Sequence, residues 1–172
     1  MADETGWAVP SDDVLVLTRY SEDDVSDHLA GEDEETVRRF GWWPYSSSPE
    51  TVQRAFDEWA ENWRTIGPTR TFAAREKEQG RLVGGCQLRI RPDGSAQVSY
   101  WTSASERGKG YATRSLQLLC EYARSIDVPV LEAEIAEDNL ASRAVAERVG
   151  FTYTALFTDE ETHMTRYQLL LR

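Results

Sequence analysis

Short runs of alternating or continuous apolar residues, bounded by Gly, Pro and Asp, recur along most of the chain and predict strands. The predicted strands cover residues 14–17, 72–75, 82–90, 96–103, 130–136, 152–157 and 166–171. Turn signals at Gln79-Gly80 and Pro92-Asp93-Gly94 separate the strands over 72–75, 82–90 and 96–103. These three strands are therefore expected to form an antiparallel meander.

Helical spacing and capping residues predict the helices between these strands. Ser21, followed by acids, indicates one helix start; residues 34–40 form a second short helix, and Ser48-Pro49 opens a third. The third helix carries an apolar stripe that we expect in the core, namely Val52, Phe56, Trp59 and Trp63. Helices are also predicted over 112–127 and 141–149, the latter ended by Gly150.

The helix over 112–127 connects two strands, and such a crossover implies that strands 96–103 and 130–136 run parallel. The prediction is an α+β fold with a mixed, mostly antiparallel central sheet of about six to seven strands, a parallel pair and flanking helices. The length of 172 residues suits a single domain over 1–172, whose first 13 residues are expected to be a flexible acidic segment.

Composition is that of a globular protein, with 40% hydrophobic and 28% charged residues. No apolar run approaches the length of a membrane span, and residues 1–10 lack the basic and apolar regions of a secretion signal. Cys86 and Cys120 have no metal-ligand spacing and suit buried thiols. We therefore expect a cytoplasmic protein that binds neither membrane nor metal.

The net charge of −11 is concentrated near the start of the chain. Residues 1–35 hold 12 of the 30 acids and a single base, Arg19, which leaves 18 acids and 18 bases elsewhere. Such a segment would repel phosphates, so nucleic acid is not an expected partner. It could favour cationic ligands or simply be a solvated acidic face.

The segment Arg107-Gly108-Lys109-Gly110-Tyr111-Ala112 lies between a predicted strand and a predicted helix. Glycines at a helix start let unpaired N–H groups approach an anion, and the helix dipole favours negative charge. The segment has neither the P-loop pattern nor the Rossmann fingerprint. On this evidence alone it is either a pyrophosphate cradle or a tight turn without a ligand.

A second segment, residues 139–151, follows the parallel strand and begins Asn139-Leu140-Ala141-Ser142. With the R-x-x-G-x-A pattern of Arg107 to Ala112, it resembles the GNAT superfamily of acyl-CoA-dependent N-acetyltransferases. Three features resemble the branch that acetylates N-termini of ribosomal proteins (RimJ/RimL-like): Tyr100-Trp101, Asn139 with Ser142, and Leu15-Val16-Leu17.

This resemblance implies acetyl-CoA as cosubstrate, with no metal, and a splayed parallel strand pair that holds its pantetheine arm. Backbone groups of Trp101, Thr102 and Ser103 would bind pantetheine, and Asn139 and Ser142 would also contact the cofactor. The pyrophosphate would be held by the amides of Arg107, Gly108, Lys109, Gly110, Tyr111, Ala112 and Thr113.

The resemblance also implies catalytic candidates, with two departures from the family pattern. Ala146 stands where many members have a tyrosine that protonates the leaving thiolate, so Ser142 is the candidate donor, or else a helix cap. Gln97 stands where relatives often have a carboxylate base. Strand alternation puts Glu132 and Glu134 on one face, and Glu134 is the candidate base, with a water chain as the alternative.

The acceptor site is expected at the aromatic loop after the second helix, where Trp42, Trp43 and Tyr45 could wall an amine pocket or pack in the core. His28 and His163 are expected at surface or satisfied polar positions. The acceptor is either the N-terminal α-amino group of a protein or peptide, or a small-molecule amine. A non-catalytic acetyl-CoA-binding module, and a monomer or a homodimer, also stay open.

Overall fold

A seven-stranded sheet in the order β1-β2-β3-β4-β5-β7-β6 forms the centre of the computed structural model, which describes residues 9–40 and 45–171. The strands are β1 (Leu15–Thr18), β2 (Thr69–Glu76), β3 (Leu82–Ile90), β4 (Ala96–Thr102), β5 (Val130–Ala136), β6 (Thr152–Asp159) and β7 (Thr162–Leu170). Neighbours pair antiparallel except β4 and β5, which are parallel. The predicted mixed sheet is confirmed.

Five α-helices flank the sheet: α1 (Val25–Gly31), α2 (Glu34–Arg39), α3 (Pro49–Arg64), α4 (Tyr111–Ser125) and α5 (Leu140–Val149). Their ends follow the sequence signals. The Ser48 hydroxyl accepts a hydrogen bond from Thr51 N at the start of α3, and Gly150 ends α5 with a φ of 106°. Within the described ranges, no helix has both the length and the apolar character needed to cross a membrane.

The core lies between the sheet and α4, and it fixes where α4 begins. Leu116, Leu119 and Cys120 of α4 are almost fully buried, as are Leu88 and Leu131 of the strands beneath them. Burying each such leucine contributes about 1.5–3 kcal/mol relative to leaving it exposed. This packing holds the amino end of α4 beside the end of β4, where the glycine-rich segment connects them.

The last two strands are longer than the sequence predicts. Their additional residues lack the alternation of apolar and polar residues that marks a half-buried strand. β7 begins at Thr162, whereas the hydrophobic pattern starts only at Arg166. Its first residues pair with β6 in a ribbon that is mostly exposed on both faces. Without a buried face, no hydrophobic periodicity marks the ribbon.

The segment expected to be flexible, residues 1–13, ends in residues that are bonded to the rest of the fold. Asp12 Oδ1 accepts hydrogen bonds from the N–H groups of Val14 and Leu15, both at 2.7 Å. Its Oδ2 pairs with Arg114 of α4, also at 2.7 Å. Residues 1–8 lie outside the described residues, so the expectation stays a prediction for them.

Candidate active site

The parallel strands β4 and β5 separate along their length. Their ladder contains three residue pairs and ends where Val98 lies opposite Ala133. β4 nevertheless continues to Thr102 and β5 to Ala136, while β4 stays paired with β3 on its other edge. In the described part of the chain, the backbone edges beyond the ladder thus have no strand partner, and buried N–H and C=O groups need one.

A cleft of about 670 Å³, here called the splay cleft, follows this gap to the start of α4. Predicted cofactor residues that line it are Trp101, Thr102, Arg107, Gly108, Gly110, Tyr111, Ala112, Thr113, Asn139 and Ser142. Ser103 is not among the residues that line the cleft; its N–H donates to Val83 O and its carbonyl accepts from Glu106 N. Its role in pantetheine binding stays a prediction.

The glycine-rich loop presents an uncapped helix start to the splay cleft. Gly108 and Gly110 have φ values of 78° and 84°, in the left-handed region that favours glycine. Gly110 is the N-cap of α4, and no side chain caps this helix. The first turn of α4 also contains no acid. The unpaired N–H groups and the dipole at such a helix start favour an anion.

The basic side chains of this loop are already paired with acids. Arg107 donates to Asp33 at 2.6 and 2.8 Å and to Thr36 at 2.9 Å. The hydrogen bonds from Arg107 hold the pKa of Asp33 well below its usual range. Lys109 pairs with Glu106 at 2.9 Å and does not line the cleft. This loop would therefore hold an anion chiefly through its backbone amides, while Arg148 of α5 also lines the cleft.

Ser142 and Tyr100 form a pair of hydroxyl groups at the amino end of α5. Ser142 Oγ donates to the Tyr100 hydroxyl at 2.9 Å, and that hydroxyl donates to the Ser142 carbonyl, also at 2.9 Å. Burial raises the pKa of Tyr100 to about 12, although the hydrogen bond with Ser142 opposes the shift. The cap of α5 is Asn139, whose Oδ1 accepts from Ser142 N at 3.1 Å. Ser142 therefore does not cap the helix.

Glu134 lies on the face of β5 opposite Ala133 and Ile135, and both of its carboxylate oxygens accept hydrogen bonds. Oε2 accepts from Gln97 Nε2 at 3.1 Å, and Oε1 accepts from Arg166 Nη2 at 2.8 Å. Its neighbour on the same face, Glu132, is more buried and pairs with Arg91 and Gln168. Of these two carboxylates, Glu134 is the one beside the strand separation.

Glu134 lines an open groove of about 470 Å³, here called the acidic groove. Three further carboxylates line it, those of Asp138, Asp159 and Glu160, together with two arginines, Arg38 and Arg39. Arg39 pairs with Asp138 at 2.6 Å, and the lining has an excess of two acids. The groove reaches Tyr100 and Ser142 from the surface, so it meets the splay cleft at the hydroxyl pair. It could bring a positively charged chain end to that point.

A more enclosed cavity of about 340 Å³, here called the aromatic cavity, lies between the sheet and α1 to α3. Its aromatic walls include Tyr20, Trp59 and Trp101; His28 of α1 and Glu32, the C-cap of α1, also line it. It meets the splay cleft at Tyr100 and Trp101. Trp101 Nε1 donates to the Tyr20 hydroxyl at 3.2 Å, which fixes these two walls relative to each other.

Two sequence expectations about this cavity are wrong. Trp59 is only partly buried and lines the cavity, whereas Val52, Phe56 and Trp63 of the same stripe are buried as predicted. His28 is 6% exposed, and its Nδ1 has no hydrogen-bond partner among the described residues. Neither role could be read from the sequence, because a tryptophan at helical spacing and a lone histidine both suit ordinary packing.

Of the three predicted acceptor residues, Trp42 and Trp43 lie outside the described residues. Tyr45 is 80% exposed and does not belong to the described lining of the aromatic cavity. Its role in acceptor binding stays a prediction.

The gap between β4 and β5, the uncapped start of α4 and the hydroxyl pair define an acyl-CoA-dependent acetyltransferase. Residues 15–152 match the acetyltransferase (GNAT) domain, and the chain belongs to this family. In the described residues, no three His, Cys, Asp or Glu side chains are grouped to hold a metal ion.

Known relatives agree with this assignment. The chain is 27% identical over 133 residues to the uncharacterized N-acetyltransferase YjdG of Bacillus subtilis (strain 168), which covers 73% of this chain and 79% of YjdG. The fold is similar to RimL, a ribosomal L7/L12 α-N-protein acetyltransferase solved with coenzyme A (TM-score 0.83, 23% identity, 95% and 97% of the two chains). It is also similar to the microcin C7 self-immunity acetyltransferase MccE, solved with acetyl-CoA and AMP (TM-score 0.82, 15% identity, 93% and 94%).

Proposed function

We propose that this enzyme transfers the acetyl group of acetyl-CoA to the N-terminal α-amino group of a protein or peptide. The observation that carries the proposal is the acidic groove, which is open to the surface and ends at Tyr100 and Ser142. Its lining has four carboxylates against two arginines, Arg38 and Arg39, and this excess of negative charge favours an ammonium group. Its open shape admits a chain that continues beyond the reacting end. The similarity to RimL supports the same acceptor class.

The described residues fit acetyl-CoA as the cosubstrate, which supplies an activated acetyl thioester. Backbone of Trp101 and Thr102 along the open edge of β4 would pair with the pantetheine amides. The N–H groups from Gly108 to Thr113 would bind the pyrophosphate. Asn139, whose Oδ1 is bonded to Ser142 N, keeps its side-chain nitrogen as a donor.

Ser142 and Tyr100 are positioned to supply a proton to the leaving thiolate. The Tyr100 phenol stays protonated over the working pH range because burial raises its pKa to about 12. It therefore acts as a hydrogen-bond donor, and the Ser142 hydroxyl is the second member of the pair. Glu134, held by Gln97 and Arg166, contributes negative charge to the path of the incoming ammonium.

A small-molecule amine is the second candidate acceptor, and the enclosed aromatic cavity favours it. A cavity of about 340 Å³ with aromatic walls suits a compact ligand better than a peptide chain. MccE, a protein of similar fold, is solved in complex with both acetyl-CoA and the small molecule AMP.

A thiol-release assay with acetyl-CoA separates the two acceptors. The panel contains a short peptide with a free N-terminal serine, the same peptide with a blocked N-terminus, free serine and spermidine. The proposal predicts transfer to the free peptide with a kcat/KM at least about tenfold above that for either small amine. Preference for a small amine, sensitive to Trp59→Ala, would replace the peptide proposal by the second candidate.

A further inference from the structure

His28 is buried in a ring of aromatic side chains at the wall of the aromatic cavity. Its exposed fraction is 6%, and its ring centroid lies 4.7 Å from that of Trp101 and 5.7 Å from that of Tyr20. Phe56 and Trp59 of α3 complete the surroundings, at 5.5 and 6.4 Å. The imidazole is therefore held in one orientation next to the strand that carries Trp101.

Glu32, one helical turn after His28, determines which ring nitrogen carries hydrogen. His28 Nε2 lies 3.2 Å from Glu32 Oε1, and both side chains are 7% exposed. A carboxylate accepts hydrogen bonds, so the neutral imidazole carries its hydrogen on Nε2 and a lone pair on Nδ1. Among the described residues nothing donates to that lone pair. A buried acceptor without a donor marks a place that a water molecule or a ligand can fill.

Few charged groups face His28 from the elements around it. Besides Glu32, the titratable or charged residues that line the cavity are Arg89 and Cys86 of β3, Tyr20, and Tyr100 of β4, whose raised pKa of about 12 also keeps it neutral. Burial raises the pKa of the Cys86 thiol and the Tyr20 phenol well above their ordinary values, so both are neutral during catalysis. Trp101, from β4, and the neighbours from α2 and α3 do not titrate. Glu32 and Arg89 are thus the charges that share the cavity with His28.

We propose that His28 Nδ1 is the proton acceptor for the amine substrate, directly or through one water molecule, with Glu32 as the positioning residue. The proposal rests on the proposed acetyl transfer to an amine. It assigns the general base, a role that Gln97 cannot fill because an amide does not accept the proton. A carboxylate that orients an imidazole and stabilises its charged form is a general arrangement for base catalysis.

The proton and electron balance of the step is complete. The ammonium gives one proton to His28 Nδ1, which later releases it to solvent. The nitrogen lone pair then forms the new C–N bond to the acetyl carbon as the C–S bond breaks. The second proton leaves the nitrogen, and the thiolate gains one proton from the Ser142–Tyr100 pair, which is refilled by that second proton. One proton is released per acetyl group transferred.

The kinetic test compares pH profiles of kcat/KM for the peptide with a free N-terminal serine. His28→Gln should lower kcat/KM about tenfold near pH 7, because only about one tenth of an α-amino group with an ordinary pKa of about 8 is then neutral. Near pH 9.5, where nearly all of the α-amino group is neutral, the variant should come within about twofold of wild type. Glu32→Gln should show a smaller loss with the same pH trend. His163→Gln, an exposed histidine on β7, is the matched control and should leave the profile unchanged.

A spectroscopic test does not depend on turnover. The chain has two histidines, so ¹⁵N-histidine labelling of His163→Gln reports on His28 alone. The proposal predicts the tautomer protonated on Nε2 and a change at Nδ1 when the peptide is added. A hydrogen on Nδ1 in the unliganded protein would overturn the proposal, whether or not turnover is seen.

The outcomes separate the two proposals. Wild type that acetylates no amine of the panel contradicts the proposed function. Wild type that acetylates the peptide, while His28→Gln is unaffected or is reduced equally at every pH, contradicts the role of His28 as proton acceptor. If Glu134→Gln lowers kcat/KM near pH 7 but not near pH 9.5, and His28→Gln leaves the profile unchanged, the general base is Glu134.

Discussion

Two hydroxyl groups that are 42 residues apart in sequence meet at the amino end of α5. Ser142 is recognisable in the sequence because it follows Asn139 by one helical turn. The role of the Tyr100 hydroxyl is not recognisable in the sequence, because it depends on how far β4 extends beside α5. Ala146 removes the tyrosine that many family members carry on this helix, and Tyr100 brings a phenol to it from the sheet instead. The site thus keeps a serine and a tyrosine hydroxyl side by side.

A double-mutant cycle on this pair tests whether the two hydroxyls act together. Ser142→Ala should lower kcat by about ten- to a thousandfold, the range for one positioned proton donor. Adding Tyr100→Phe to it should cost much less than Tyr100→Phe costs alone, because members of one unit are not additive. CoA affinity should change little, and Tyr153→Phe, an exposed tyrosine on β6, serves as control. Full activity of Ser142→Ala at both pH 7 and pH 9 would rule out the donor role.

At the scale of elements, α2 joins the two segments that flank the splay cleft. Arg107 of the glycine-rich loop pairs with Asp33, the N-cap of α2, and Arg39 near the end of α2 pairs with Asp138 at 2.6 Å. Asp138 directly precedes Asn139. One short helix thereby positions both the loop before α4 and the loop before α5.

A further ion pair connects the segment before α1 to the sheet. Asp24 Oδ2 lies 2.6 Å from Arg75 Nη2, and the Asp24 side chain is 5% exposed. Burial alone would raise the pKa of Asp24, but hydrogen bonds from Arg75 and Ser21 outweigh it and hold the pKa below its ordinary value. Because the folded pKa is the lower one, the pair stabilises the fold at neutral pH. That contribution is lost as the pH falls below about 4.

Replacing Asp24 should therefore destabilise the protein in a pH-dependent way. Asp24→Asn should lower the free energy of unfolding by about 2–4 kcal/mol at pH 7, since it leaves Arg75 partly buried without its counter-ion. Urea denaturation should show this difference shrinking as the pH falls from about 4 towards about 2, as the wild-type carboxylate is protonated. Asp23→Asn, an exposed neighbour, should change stability by less than about 0.5 kcal/mol. A difference that stays constant as the pH falls from about 5 to about 2 would contradict the ionic origin.

The sequence predicts most elements because their signals are local. Ser48 and Pro49 mark the start of α3, Gly150 marks the end of α5, and the crossover through α4 requires parallel strands. The separation of β4 from β5 came only from family resemblance, since no local pattern encodes how far two strands stay paired. The aromatic cavity was missed for the same reason, because His28 and Trp59 acquire their roles from elements distant in sequence.

At the scale of the whole molecule, the acidic first part of the chain is more than a solvated face. Asp12, Asp24 and Asp33 pair with Arg114, Arg75 and Arg107, which all lie far along the sequence. These pairs connect the segments around β1, α1 and α2 to α4, β2 and the glycine-rich loop. Composition shows the excess of acid near the start, but only the fold shows which arginines neutralise it.

The central claim is that acetyl-CoA binds in the splay cleft with its pyrophosphate at the start of α4. The most direct measurement is the thermal shift that CoA produces in wild type and in Gly110→Glu. At a concentration of 100 Kd, CoA should stabilise the wild type by about 2.7 kcal/mol, a rise in Tm of roughly 5–10 °C. Gly110→Glu should abolish this shift, because it places a side chain and a negative charge at the anion site.

Gly94→Glu is the matched control for that measurement. Gly94 also has a positive φ, 85°, and open space around its Cβ position, but it lies in the turn between β3 and β4 and does not line the splay cleft. Both substitutions strain the backbone alike, so only the cofactor response should differ between them. We expect a full CoA shift in Gly94→Glu and none in folded Gly110→Glu; an unchanged shift in Gly110→Glu would show that the pyrophosphate does not bind at the start of α4.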